Sequence, residues 1–235
     1  MKLGSARARI VESLRALTVR TLLLLLGAVA ASIVFVIIAR ELRSSGLDLL
    51  DKRIELGVHR VSSIPVDLLA ATASFIGSNV VIIPLVIVLV VLCFVRGHRF
   101  EAVVLAFDAI AVIVLGQYLK TIFARPRPEL FSKIPLPTDY SFPSGHSMSA
   151  VGVWGVIAAV LILLYPARRR SIVIGACVLI PMIGLSRIYF GVHWPFDVLG
   201  GFLGGTPPLL VSVHLVHRRK RIDQHVADFV AAEHS

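Results

Sequence analysis

Apolar runs of nearly twenty residues recur along the chain, and short basic turns or polar loops separate them. An α-helix needs about 20 apolar residues to cross the hydrocarbon core of a bilayer, where its internal hydrogen bonds satisfy the backbone. Hydrophobic residues make up 57% of the 235 residues, and the mean hydropathy of +0.86 excludes an ordinary soluble domain. We therefore expect an all-α, polytopic membrane protein.

Six of these runs are predicted to be transmembrane helices. They lie at residues 22–39, 77–95, 100–120, 145–165, 171–185 and 195–216. The first run is alternatively a signal peptide, since Ala28-Val29-Ala30 resembles a cleavage site, but apolar sequence continues to Ala39 and favours a retained span. The short apolar stretch 66–76 is expected either to re-enter the membrane or to extend the second span.

Residues 40–67 carry balanced basic and acidic charge, and apolar residues recur there at helical spacing: Leu47, Leu50, Ile54 and Val58. This pattern predicts an amphipathic helix that lies on the outer membrane surface. The chain as a whole is expected to consist of a basic segment over residues 1–20, a six-span domain over residues 21–216 and a basic tail over residues 217–235.

The distribution of charge predicts the orientation. The net charge is +10, and 14 of the 24 Lys and Arg residues fall in the two terminal segments and the turns at 96–99 and 168–170. Because basic residues favour the cytoplasmic side, both termini are predicted to lie in the cytoplasm of an inner-membrane protein. Topology and anionic lipid headgroups account for this charge, so nucleic-acid binding is not expected.

Two features of the spans concern packing. Asp108 lies inside the third span, where a charge costs about 2.5–3.5 kcal/mol, so it must face protein or water, and a structural hydrogen bond is the favoured role. The last span carries small residues at spacings that permit close helix contact: Gly200, Gly201, Gly204 and Gly205.

The stretch 186–197 places three chemically capable side chains within twelve residues: Arg187, His193 and Asp197. If a helix begins near Pro195, Asp197 lies in its first turn and can fold back onto His193. A carboxylate bonded to one imidazole nitrogen fixes the tautomer and leaves the other nitrogen free to attack. The guanidinium of Arg187 suits phosphate oxygens.

Two further polar clusters are predicted to reach the same outer face, because two spans separate the second cluster from the stretch 186–197. Lys120 and Arg127 follow the third span, and Ser144, Gly145 and His146 open the fourth. The cations can clamp a phosphate, and backbone N–H groups at the helix start favour an anion. We expect His193 to attack phosphorus, His146 to protonate the leaving oxygen, and Asp197 to stabilise charged His193. No metal or other cofactor is expected.

Three motifs carry a family resemblance: Lys120-x₆-Arg127-Pro128, Pro143-Ser144-Gly145-His146 and Ser186-Arg187-x₅-His193-x₃-Asp197. They resemble the three signatures of the type 2 phosphatidic acid phosphatase (PAP2) superfamily. The resemblance implies a PAP2-like helical bundle with His193 as the phosphorylated nucleophile, His146 as general acid and Asp197 as orienter. It implies these phosphate ligands: Lys120, Arg127, Ser144, Gly145 and Arg187. Arg125 is out of register with the first signature and is not carried over.

The resemblance further implies a metal-independent phosphatase acting on a lipid phosphate or diphosphate in the bilayer: phosphatidate, phosphatidylglycerophosphate or undecaprenyl diphosphate. Alternatives on the same fold are a lipid A phosphatase, a lipid phosphotransferase, and an inactive membrane scaffold or transporter. The superfamily also contains vanadate-dependent haloperoxidases, which use a similar pocket. Those are soluble proteins, so the high hydropathy of this chain argues against that activity. The choice of lipid and the oligomeric state are not predicted.

Overall fold

A computed structural model describes residues 2–44 and 46–233, with side chains for residues 19–44 and 46–223. All regular structure in this part of the chain is helical. The α-helices are α1 (Lys2–Arg43), α2 (Asp48–His59), α3 (Ile64–Ile76), α4 (Asn79–Val95), α5 (Arg99–Phe123), α6 (Gly145–Ser149), α7 (Gly155–Leu164), α8 (Arg169–Tyr189) and α9 (Pro195–Glu233). A π-helical turn, Ala150–Trp154, joins α6 and α7 into one span.

Within the described residues, five helical segments are long and apolar enough to cross a membrane: Val19–Arg43, Arg99–Phe123, Gly145–Leu164, Pro166–Tyr189 and Pro195–Asp223. A sixth span arises if α3 and α4 cross together, with a bend of 47° between them. The stretch 66–76, which the sequence left open, thus belongs to a separate helix in which Pro65 occupies the first turn. The prediction of an all-α, polytopic membrane protein is confirmed.

The helix boundaries differ from the predicted spans at both ends of the chain. Helix α1 begins at Lys2, well before the first apolar run, and α9 continues past the predicted end at residue 216 to Glu233. Ala, Arg, Lys, Glu and Gln in these segments are good helix formers, so the helices extend beyond the hydrocarbon core. The division at residues 20 and 217 stays a prediction.

Helix α9 packs along α1 and against α5 and α6. The predicted close contact through its glycines is confirmed: a Cβ atom at Gly201 would lie 2.6 Å from the carbonyl oxygen of Ser144, and one at Gly205 would lie 2.5 Å from that of Met148. Asp108 is buried and accepts a hydrogen bond of 2.7 Å from Ser212 of α9, in agreement with a structural role. These contacts fix α9 against the helices that carry the predicted site.

Helix α2 confirms the predicted amphipathic helix, and the acidic side of this helix is the buried one. Leu50 and Ile54 are exposed, whereas the carboxylates of Asp51 and Glu55 are fully buried. For a helix at the membrane surface, lipid accepts the apolar side chains, so the acidic side is free to face the protein.

The basic clusters share one end of the bundle. Arg20 lies within electrostatic reach of Arg169 and Arg221. Arg169 begins α8 and Arg187 lies in its last turn, so a helical rise of about 1.5 Å per residue separates them by about 27 Å. The predicted site and the basic clusters therefore lie at opposite ends of the spans.

Candidate active site

The three predicted clusters meet at one cavity of about 270 Å³. Six of the eight predicted site residues line it: Lys120, Arg127, Gly145, His146, Arg187 and His193. They come from the end of α5, the following loop, the start of α6, the end of α8 and the loop before α9. The remaining two, Ser144 and Asp197, are fully buried next to each other, since the Ser144 amide donates a 3.0 Å hydrogen bond to the Asp197 carbonyl.

The pairing of His193 with Asp197 follows from the start of α9 at Pro195. Oδ2 of Asp197 accepts a hydrogen bond of 2.9 Å from the amide of Trp194 and a second from the hydroxyl of Ser141. The same oxygen lies 3.6 Å from Nδ1 of His193. Both side chains are almost completely buried, so the carboxylate is held facing the imidazole.

The other imidazole nitrogen faces the cavity cations. Nε2 of His193 lies 3.2 Å from Nη1 of Arg127. A guanidinium has only donors, so Nε2 must accept and carries a lone pair, while Nδ1 carries the proton. Burial lowers the pKa of His193 to about 4, although Asp197 acts to raise it. The neutral tautomer that a nucleophile requires is therefore the one present at neutral pH.

Asp139, which the sequence analysis did not single out, bridges two of the predicted phosphate ligands. Its carboxylate oxygens lie 2.5 Å from Nζ of Lys120 and 2.5 Å from Nη2 of Arg127. Burial acts to raise the pKa of Asp139, but the hydrogen bonds from the two cations outweigh it and lower the pKa below its usual value. An anion thus already lies on the cations that are predicted to hold phosphate.

Arg187 is the third cation of the cavity. Its side chain donates a hydrogen bond to the hydroxyl of Ser74 on α3, which anchors one end of the guanidinium. Its Nε is buried and has no hydrogen-bond partner among the described residues. A buried donor without a partner costs about 1–3 kcal/mol, which an anion in the cavity would offset.

Sequence reasoning missed a second layer beneath the cavity. Arg125 donates hydrogen bonds of 2.7 Å to Oδ1 of Asp197 and 2.7 Å to Oδ2 of Asp51. Oδ1 of Asp51 in turn accepts a 2.9 Å hydrogen bond from the amide of Phe196. Because Arg125 is out of register with the first motif, it was not counted among the predicted site residues. The only sequence signal of its contact with Asp51 was the acidic pair Asp51 and Glu55 on one face of α2.

Comparisons with known proteins identify the family. A family model described as the PAP2 superfamily matches residues 101–221, slightly more than half of the chain, and this range contains all three motifs. A phosphatidylglycerophosphatase B of Bacillus subtilis (strain 168) is 28% identical over 171 residues, which cover 72% of this chain and 84% of the relative. An undecaprenyl-diphosphatase of Sulfolobus acidocaldarius is 34% identical over 125 residues, which cover 51% and 57%.

A solved structure supports the same fold. The crystal structure of a transmembrane PAP2-type phosphatidylglycerolphosphate phosphatase from Bacillus subtilis matches with a TM-score of 0.71 and 24% identity, covering 85% of this chain and 96% of the other. At this identity the match concerns the fold alone. Because the family model spans more than half of the sequence and the named relatives are lipid phosphatases, the chain belongs to the PAP2 superfamily and is a membrane lipid phosphatase.

Proposed function

We propose that the enzyme hydrolyses a phospholipid phosphomonoester or a polyprenyl diphosphate through a phosphorylated His193. The observation that carries this proposal is the cavity that His193 lines together with Lys120, Arg127 and Arg187, with Nε2 of His193 next to Arg127. A neutral imidazole beside three cations matches the needs of an in-line attack on an anionic phosphoryl group.

In the first step the Nε2 lone pair of His193 bonds to phosphorus, and the bond from phosphorus to the leaving oxygen breaks. His146 gives that oxygen a proton, and Asp197 stabilises the positive charge on His193. In the second step water attacks the phosphohistidine, His146 takes a proton from it, and phosphate leaves with His193 restored. No group outside the chain is consumed except water.

The cations must supply much of the rate enhancement. Enzymes that hydrolyse phosphate monoesters lower the barrier by on the order of 20 kcal/mol or more. General acid–base catalysis contributes about 10²–10⁴-fold, which is less than half of that requirement. The rest of the barrier lowering is expected from the cations, Lys120, Arg127 and Arg187, and from the N–H groups at Gly145. These groups stabilise the negative charge that develops on the phosphoryl oxygens in the transition state.

Two observations favour a lipid that carries the phosphate. The cavity is also lined by apolar side chains of the spans, Val80 of α4 and Val112 and Ile113 of α5. Such a lining suits the first carbons of an acyl or prenyl chain while the phosphate lies among the cations. The named relatives from Bacillus and Sulfolobus act, by name, on phosphatidylglycerophosphate and undecaprenyl diphosphate, which supports testing these two lipids first.

We also propose an orientation of the chain in the membrane. The basic ends of α1, α8 and α9 lie opposite the cavity, and basic residues favour the cytoplasm, so both termini are cytoplasmic and the cavity opens outward. Cysteines introduced at Glu129 and Arg96 in a cysteine-free background test this. An impermeant maleimide added to intact cells should label position 129 and not position 96, and the reverse pattern overturns the orientation.

The function is tested by phosphate release from a panel of lipid phosphates and diphosphates in detergent, with EDTA present. Wild-type protein is expected to release phosphate from one of them, His193→Ala to release none, and His98→Ala, at the opposite end of the spans, to behave as wild type. Release by His193→Ala contradicts the mechanism. Folded wild-type protein that releases phosphate from none of these lipids contradicts the proposed substrates.

A further inference from the structure

A continuous series of charged contacts leads from the surface helix α2 to the imidazole of His193. Asp51 contacts Arg125, Arg125 contacts Asp197, and Asp197 faces Nδ1 of His193, with separations of 2.7, 2.7 and 3.6 Å. The side chains of Asp51 and Asp197 are fully buried, and that of Arg125 is 11% exposed. Buried charges of this kind persist only where they are paired and hydrogen-bonded.

Arg125 is fixed in one position from several directions. Nη1 binds Asp197 and Nη2 binds Asp51, and Oδ1 of Asp48 lies 3.6 Å from Nη2. The guanidinium also lies 5.5 Å from the centre of the Trp194 ring, within the range of a cation–π contact. A planar guanidinium held by several carboxylates has little freedom to rotate, so it also restricts the rotation of the carboxylates that it binds.

The orientation of Asp197 depends on this fork. Oδ2 accepts hydrogen bonds from Trp194 and Ser141 and faces His193, whereas Oδ1 contacts only Arg125 among the hydrogen bonds of the described residues. Without Arg125, Oδ1 would be a buried acceptor with no partner, and the carboxylate plane would be free to turn away from the imidazole. Arg125 does not line the cavity, so any effect on the reaction must pass through Asp197.

Asp51, which binds Arg125, lies outside the region that matches the family model. It lies on α2, before residue 101, where the PAP2 match begins. One of its oxygens holds Arg125 and the other accepts the Phe196 amide in the first turn of α9, so a single carboxylate anchors both the fork and the start of the helix that carries Asp197. This explains the burial of Asp51, whereas the side chain of Glu55 on the same face has no hydrogen-bond partner among the described residues.

We propose that Arg125 is the positioning residue of the His193–Asp197 pair, and that Asp51 of the surface helix α2 holds it in place. The inference rests on the proposed function, in which His193 attacks phosphorus. Arg125 keeps Asp197 ionised and in the plane of the imidazole, so that Nδ1 retains the proton and Nε2 stays directed at the phosphoryl group. Its contribution is made during the chemical step and not in substrate binding.

The test compares purified full-length variants on the best lipid substrate of the panel: Arg125→Gln, Arg125→Lys, Asp51→Asn and the double variant Arg125→Gln/Asp51→Asn. Exposed residues supply the matched controls Arg60→Gln and Glu129→Gln. Three quantities are measured: kcat, KM and the inhibition constant of inorganic phosphate, which reports on the cation clamp alone. Size-exclusion chromatography and thermal unfolding in detergent identify the variants that fold.

Arg125→Gln is expected to lower kcat about 10²-fold, the typical cost of misplacing a reacting group by about 1 Å. Both KM and the phosphate inhibition constant should stay within about threefold of wild type, since only the transition state uses the lost interaction. Arg125→Lys should recover at least part of kcat by restoring the charge. Asp51→Asn should lower kcat about tenfold, in the range of other residues that orient a reacting group from behind. The double variant should be no slower than Arg125→Gln, because both act through one contact.

A folded Arg125→Gln with wild-type kcat overturns the proposal, and so does a loss confined to KM or to phosphate inhibition, which would make Arg125 a ligand of phosphate. If Arg125→Gln does not fold, Arg125→Lys and Asp51→Asn decide, and wild-type kcat in both overturns the proposal. Failure of the proposed function gives a different result, since His193→Ala would then remain active whatever the Arg125 variants do.

Discussion

The carboxylate of Asp139 lies 2.5 Å from the ammonium group of Lys120, and its second oxygen lies 2.5 Å from the guanidinium of Arg127. Two cations that are expected to hold the substrate phosphate are therefore already occupied by an anion of the same chain. Substrate must displace this carboxylate, and the displacement costs part of the binding free energy.

Replacing Asp139 by Asn should therefore strengthen anion binding. Because the Asp139 side chain is partly exposed, its ion pairs contribute about 1 kcal/mol or less, and the inhibition constant of inorganic phosphate should fall by up to about fivefold. Inhibition of lipid phosphate hydrolysis by phosphate measures this, with Glu129→Gln in the same loop as the control. Weaker inhibition in Asp139→Asn would instead mean that Asp139 holds the two cations in their binding positions.

The contrast between predicted and missed residues has a physical cause. Lys120, His146 and His193 were found because each lies in a local motif and because counting spans brings the motifs to one face. Asp51 and Arg125 lie 74 positions apart, and no local spacing marks their contact. The pattern of α2 predicts a helix at the membrane surface, where lipid contacts the apolar side. It does not tell which residues the acidic side contacts, and that contact is seen only in the folded chain.

The low pKa of His193 predicts activity in mildly acidic solution. Because burial lowers its pKa to about 4 from the ordinary 6.5, the neutral nucleophile persists as pH falls and is lost only near pH 4. The acid limb of kcat/KM reports this group in the free enzyme, once corrected for the second ionisation of the substrate phosphate near about pH 6. A corrected limb near the ordinary imidazole value would contradict the buried, neutral state.

Glu55 should make stability depend on pH. Burial, together with the neighbouring carboxylates of Asp51 and Asp197, raises its pKa to about 8 from an ordinary 4.5. The folded protein therefore retains a proton that the unfolded chain loses above pH 4.5. As the pH rises from 4.5 to about 8, the free energy of unfolding of the wild type should decrease relative to that of Glu55→Gln. Thermal unfolding in detergent at about pH 5 and about pH 8 measures this difference. An equal difference at both values would contradict the raised pKa.

The close contact between α9 and α6 should not tolerate a side chain larger than that of glycine. A Cβ atom at Gly205 would approach the Met148 carbonyl to 2.5 Å, whereas one at Gly175 in α8 meets nothing within 4 Å. Gly205→Ala should lower the thermal unfolding midpoint and Gly175→Ala should not, since only the first forces two packed helices apart. Equal midpoints for the two variants would show that the contact relaxes without cost.

Detection of the covalent intermediate would show whether His193 is the nucleophile. Wild-type protein and ³²P-labelled lipid phosphate are mixed, quenched rapidly in alkaline denaturant and digested, and the labelled peptide is sequenced by mass spectrometry. We expect acid-labile phosphate on His193, absent from His193→Ala. It should accumulate in His146→Ala, because hydrolysis of the intermediate then lacks its base. Label on another residue, or turnover by His193→Ala without label, would contradict this role of His193.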